Sequence, residues 1–345
     1  MHIHRLRPRA WRTQRGFTLA ELMISVTLGL MILAGMTTLF VNNTRAQGEI
    51  EKANRQVENG RFAVSLMTGD LRNAGFYGEF DPQAIDTPAA LPDPCALTVA
   101  ALKGALPLHV QGVDNVGTAN VPGCIDDVRA GTDVLVVRHT RTCVVGEGNC
   151  EPASAGGPFF QASLCNNPNE LDSGDVNDHY ALALTTGGMT RHRRDCTQTA
   201  GSGTPAPTRV YETHIYFVAN NGNPGDGIPT LKRAELGTVA GALGMTVVPL
   251  VEGIENLQID YGIDTGSDGV PDVYGAAPET PGNWRNTVAV KLYLLARNHT
   301  PSQGYTDTKS YQLGANTVAA AGDHYKRHVF QAVVNLPNPA GRKLP

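Results

Sequence analysis

The sequence predicts an α+β fold: a long N-terminal helix, apolar in its first half and amphipathic in its second, packed on a mainly antiparallel β-sheet head. Three observations predict it. From Leu22 to Val41 about twenty residues pass without a charge, the length a helix needs to cross a bilayer core of roughly 30 Å. From Ile50 the apolar residues Ile50, Ala53, Val57, Val64, Met67, Leu71 and Ala74 recur mostly at spacings of three and four, interrupted once at Gly60 and Arg61. Beyond Gly131, strand-like runs follow one another without a helix between each pair, the order of an α+β rather than an alternating α/β chain.

The N-terminus begins with arginines at 5, 7, 9, 12 and 15 and no acidic residue among them. The positive-inside rule therefore leaves this end in the cytoplasm and sends the rest across the membrane. A secretory signal peptide fits poorly, because its apolar core is about 7 to 15 residues and this one is longer. Glu21 sits near the start of the apolar run, where a carboxylate at the membrane centre would cost on the order of 2.5 to 3.5 kcal/mol.

The helix is expected to run from about Thr18 to Asn73, loosened around Gly29, Gly35 and Asn42-Asn43. Its exposed face carries Glu51 with Arg55 at i,i+4 and Glu58 with Arg61 at i,i+3. The glycine in Asn73-Ala74-Gly75-Phe76 caps its end. From Asp81 to Gly131 the chain is punctuated by Pro and Gly, with few periodic runs. A strand follows at Asp133 to Arg138, dominated by β-branched residues. Further strands are expected at 209–219, at 246–262, at Val288, Val290, Leu292 and Leu294 in strict alternation, and at Arg327 to Asn335.

A chain of 345 residues, 41% hydrophobic and 17% charged, can bury a substantial core in one large or two small domains. A net charge of −4 and a pI near 6.2 make no case for a nucleic-acid partner. Six cysteines, at 95, 124, 143, 150, 165 and 196, lie beyond the apolar helix. On the exported, oxidising side, an even count reads as three disulfides. Fifteen pairings exist. The short loop from Cys143 to Cys150 favours that bridge, with Cys95–Cys124 and Cys165–Cys196 following from it. Residues 142–208, holding four of these cysteines, read as a disulfide-bound insertion on the head. No close Cys/His ligand spacing occurs, so neither a metal nor a cofactor is expected.

Other chemistry is weak. Asp264 to Asp272 resembles a calcium loop faintly, but Gly266 replaces a side-chain ligand and Gly275 stands where the bidentate glutamate belongs, so a solvated turn is preferred. Arg191-His192-Arg193-Arg194 could grip phosphates but lacks interleaved aromatics and reads as a solvated loop patch. There is no G-x-S-x-G, H-E-x-x-H or phosphate loop. Scattered histidines such as His139 and His214 read as surface or packed residues, and no enzyme activity is expected.

The basic leader ending in Gly16, then Phe17-Thr18-Leu19-Ala20-Glu21 and an apolar helix, resembles the N-terminus of a type IV prepilin. The resemblance implies that a prepilin peptidase cuts between Gly16 and Phe17 and N-methylates Phe17. It also makes Glu21 the fifth mature residue, the position used for assembly. A physical reason can be given: Glu21 lies about 6 Å along the axis from Phe17, so the new amine of a neighbouring, axially offset subunit could meet its carboxylate in a low-dielectric bundle.

Further on, Glu58 to Ala63 with Leu71 to Gly78, Gly131-Thr132-Asp133, Val251 to Glu255, Tyr261-Gly262 and Val329 to Asn335 resemble PilW-type minor pilins. Two departures stand out. Thr38 replaces the helix-interrupting proline of many major pilins, and Glu79 stands where a cysteine often follows the glycine–aromatic turn. The resemblance implies a pilin-like fold in four segments: a cytoplasmic leader (1–16), a transmembrane assembly helix (17–41), its amphipathic continuation (42–75) and a disulfide-braced periplasmic or extracellular head (76–345). It implies a minor pilin that helps start pilus assembly at or near the tip and supports adhesion and twitching motility. The implied partners are prepilin peptidase, other minor pilins, the major pilin, a large tip adhesin and, before assembly, the inner membrane. The alternatives are a minor pseudopilin of type II secretion and a signal-anchored periplasmic receptor or enzyme.

Overall fold

The structure, a computed structural model, describes residues 16–117 and 119–343. The leader arginines lie outside the described residues. The chain divides into two compact units between Glu51 and Lys52. In order, the elements are helix α1 (Leu19–Asn73), α2 (Val99–Ala105), strands β1 (Val110–Val113), β2 (Val134–Thr140), β3 (Phe159–Ala162), β4 (Tyr180–Ala183), β5 (Thr208–Ala219), β6 (Thr230–Val239), β7 (Ala242–Glu252), β8 (Ile254–Ile263) and β9 (Val273–Gly275). They continue through α3 (Pro281–Arg285), β10 (Thr287–Arg297), β11 (Tyr311–Leu313), β12 (Asn316–Val318), β13 (Arg327–Asn335) and α4 (Pro337–Gly341).

The described part of the first unit is helical from Leu19 on, and an 18-residue window within α1 is hydrophobic enough to cross a membrane. Its hydroxyl side chains do not need water, because Ser25, Thr27, Thr37 and Thr38 each donate to the carbonyl four residues back. The helix is unbroken at Gly29, Gly35 and Asn42-Asn43, where loosening was expected.

The second unit holds the head, and every strand pair between named strands is antiparallel. A seven-stranded sheet runs β1-β2-β5-β3-β4, with β6 also on β5 and β7 on β6; a four-stranded sheet runs β13-β10-β8-β9. One core joins Ala63, Met67 and Leu71 of α1 to Leu135 and Val137 of β2 and to Leu257, Ile259, Val290 and Leu292 of the smaller sheet. The alternate residues of β2, Val134 and Val136, enter a separate cluster with Ile215 and Phe217. Since β2 is covered on both faces, its sequence reads as a continuous apolar run instead of alternating.

Several elements differ from expectation. The buried face of α1 here is Gln56, Gly60, Ala63, Met67 and Leu71, while Ala53 and Val57 are only half-buried. Gln56 can be inside because its Nε2 donates to the carbonyls of Ala296 and Lys326. The stretch 81–131 contains α2, which Thr98 caps by accepting from the Ala101 amide, and β1. The run 246–262 is two strands, because Gly253 adopts φ +80° and its added Cβ would lie 2.8 Å from the Arg297 carbonyl. There the chain leaves the larger sheet for the smaller one. Residues 142–208 are not a mere insertion, since β3 and β4 join the seven-stranded sheet through β5.

Candidate functional site

The start of α1 is built from four residues. Gly16 and Phe17 precede the helix and are exposed, with Phe17 at 85%. Thr18 is placed as its N-cap: its hydroxyl accepts from the Glu21 amide at 3.3 Å, while its own amide donates to Glu21 Oε2 at 2.9 Å. The Thr18 hydroxyl also donates to the same oxygen at 3.0 Å. This T-x-x-E reciprocal pair is a capping box, which satisfies two amides that a helix start leaves without partners. The pattern is legible in Thr18-Leu19-Ala20-Glu21 from spacing alone, yet the sequence reading assigned Glu21 only an intermolecular role. The carboxylate is thus turned back toward the start of its own helix, on the side where cleavage after Gly16 would create a cationic amine.

The remaining sequence candidates are distributed over the head. Disulfides join Cys95 to Cys124, Cys143 to Cys150 and Cys165 to Cys196. In the loop after β8, Asp264 is buried and accepts from the amides of Ser267 and Gly269 and pairs with Lys343. Asp272 accepts from Thr265 and the Gly266 amide. Both carboxylates are spent on bracing the turn. In the basic loop, Arg191 donates to the Tyr180 carbonyl and His192 Nδ1 lies 2.7 Å from Glu170 Oε1. Two of its four residues are therefore tied into the fold.

A second cluster escaped the sequence reading. Asp70 of α1 meets His139 of β2 and His214 of β5, with Oδ1 2.7 Å from His139 Nε2 and Oδ2 2.9 Å from His214 Nδ1. Val137 pairs with His214 and His139 with Glu212 across β2 and β5, so the two histidines are diagonal neighbours on one sheet face. The side chains are 8%, 4% and 9% exposed. His139 Nδ1 lies 3.0 Å from its neighbour's carbonyl, Thr140 O. Tyr216 donates to Asp70 Oδ2 at 2.9 Å and receives a bond from Arg233. Burial pushes the Asp70 carboxyl up, but the hydrogen bonds and charges of the two histidines prevail and hold it far below the usual carboxylate range. Burial likewise pushes His139 down, while Asp70 and Glu212 overrule it and raise it. No local motif announces this cluster, because its members are 69 and 75 residues apart in sequence. The three residues offer mutually close donor atoms suited to a metal ion.

The sequence profile of the family described as Type IV Pilus-assembly protein W matches residues 215–338, from within β5 to α4. That of the prokaryotic N-terminal methylation motif matches residues 11–37. Among solved structures, the type IV-like pilin TTHA1219 from Thermus thermophilus aligns at 17% identity, covering 54% of this chain and 86% of its own, with a TM-score of 0.25. No curated protein matches the chain.

Proposed function

We propose that this chain, a pilin of the type IV pilus-assembly protein W family carrying the N-terminal methylation motif, is cut between Gly16 and Phe17 and then acts in starting pilus assembly at or near the tip. The observation that carries the reading is the Gly16-Phe17 junction followed by Thr18 and Glu21 at the head of an unbroken apolar helix. In the free subunit Glu21 is held by Thr18. On assembly, the methylated amine of Phe17 in a neighbouring subunit takes the carboxylate, a charge–charge attraction that the low-dielectric bundle strengthens and that only correct axial offset supplies. The capping box keeps the carboxylate satisfied while the subunit waits in the inner membrane.

Prepilin peptidase, the major pilin and the other minor pilins are the partners in this reading, together with a tip adhesin. The tip position rests on bulk: residues 76–345 form a head whose loops would crowd a uniform helical array. Adhesion and twitching would follow from fibre assembly.

Mass determination of the mature N-terminus tests the pathway. The expected species begins at N-methylated Phe17; an intact Met1 would refute it. With Glu21→Ala, cleavage should persist while incorporation into fibres falls at least tenfold, and normal incorporation would remove the assembly role.

A further inference from the structure

We propose that Asp70, His139 and His214 form a binding site for one first-row divalent cation of the zinc type, clamping the end of α1 to the face of β2 and β5.

The donor set comes first. Two imidazole nitrogens and a carboxylate oxygen are the ligand types that zinc and its neighbours prefer, and three protein ligands leave a fourth position for water. Geometry comes second. Tetrahedral donors each about 2.0 to 2.2 Å from a cation stand about 3.3 to 3.6 Å from one another. Asp70 Oδ1 stands 2.7 Å from His139 Nε2 and 3.0 Å from His214 Nδ1, and the donor atoms of all three residues lie within 4.8 Å of one another, so side-chain shifts of roughly half an ångström or more open room for the ion.

The surroundings are those of ligands held in place. A metal-binding histidine ordinarily donates its other ring nitrogen to a carbonyl or carboxylate, which sets the tautomer. His139 Nδ1 has the Thr140 carbonyl at 3.0 Å and Glu212 Oε2 at 3.6 Å. With the proton on Nδ1, the lone pair of Nε2 is aimed at Asp70, two acceptors face to face unless a cation or a second proton lies between them. The Asp70 carboxylate is oriented by the Tyr216 hydroxyl, which Arg233 fixes in turn, and Arg233 is held by Glu235 at 2.6 Å. Three different elements supply the donors, so the site would form only in the folded head and a bound ion would stabilise it by mass action. The cluster is also independent of the segments that match known families, since residues 70, 139 and 214 fall outside both 11–37 and 215–338.

The test uses the full chain in detergent, stripped with a chelator and then titrated with Co2+ and Zn2+. One Co2+ per chain is expected, with the visible absorption of a four-coordinate nitrogen and oxygen site that Zn2+ abolishes, and with a rise in melting temperature at micromolar zinc. Asp70→Asn and His214→Gln should each weaken binding by about 100-fold while near-native circular dichroism is kept. A folded wild-type chain that takes up no stoichiometric ion would overturn the site, whatever the variants do, and would leave a protonated imidazole against a carboxylate. Equal binding by His214→Gln would also overturn it, because the ion would then sit elsewhere.

Discussion

His109 shows how much a single buried base weighs in this head. It is 1% exposed, and its Nε2 donates to the Thr287 carbonyl at 2.6 Å, so the neutral ring is the one the fold accommodates. Burial lowers its pKa to about 4, against some opposition from that hydrogen bond. The unfolded chain takes up this proton near pH 6.5, before the folded one does. The contribution of His109 is therefore intact above pH 6.5 and is lost as the pH falls through 4, on the order of 3 kcal/mol in all. Asp133 works in the opposite sense. Burial raises it to about 7, so its proton favours the folded state at acidic pH and that support is lost as the pH rises through 7. The two partly cancel in the wild type. Melting curves of His109→Gln and wild type at pH 4.5 and 7.5 isolate the histidine: the variant should gain on the wild type at the lower pH, and a gap independent of pH would disprove the assignment.

At the scale of the element, the second half of α1 depends on where its glycines fall. Gly60 faces β13, and a Cβ there would lie 2.1 Å from the Phe330 ring. The interruption of the apolar stripe at Gly60 is thus a seat for an aromatic ring, a close approach that any side chain would obstruct. Gly69 lies on the same helix with nothing within 4 Å of its would-be Cβ. One substitution should then have opposite signs at the two positions. Gly69→Ala gains up to about 1 kcal/mol from helix propensity, whereas Gly60→Ala meets an overpacking cost of about 1 to 3 kcal/mol that outweighs the same gain. Thermal denaturation of both variants checks this; shifts in the same direction would show that the Phe330 contact does not govern α1.

For the whole molecule, the two larger antiparallel sheets of the head and the second half of one helix share a core, with a small β11-β12 sheet besides. The sequence holds no recognisable enzymatic motif, and residues 215–338 match the profile described as type IV pilus-assembly protein W. A pilus subunit and a minor pseudopilin of type II secretion are the alternatives the N-terminal motif leaves open, and a deletion in the cell separates them. Deletion of the coding sequence should abolish or sharply reduce surface fibres and twitching while leaving enzyme secretion intact. Loss of secreted enzymes with normal fibres would assign the chain to the secretion system instead.

What could be read from residues in order were features written in contiguous sequence. The apolar helix follows from a charge-free run, its continuation from three-and-four spacing, β10 from alternation at Val288 to Leu294, and β13 from Arg327 to Asn335, the same bounds the structure has. The capping box is equally contiguous, and the hydrogen bonds of Thr18 and Glu21 realise it. Features made by chain crossings were out of reach. Gln56 inside the core, the change of sheet at Gly253 and the meeting of Asp70 with His139 and His214 each depend on partners from distant strands. A buried polar group is stable only where such partners satisfy it, and which groups those are is decided by how the sheets stack.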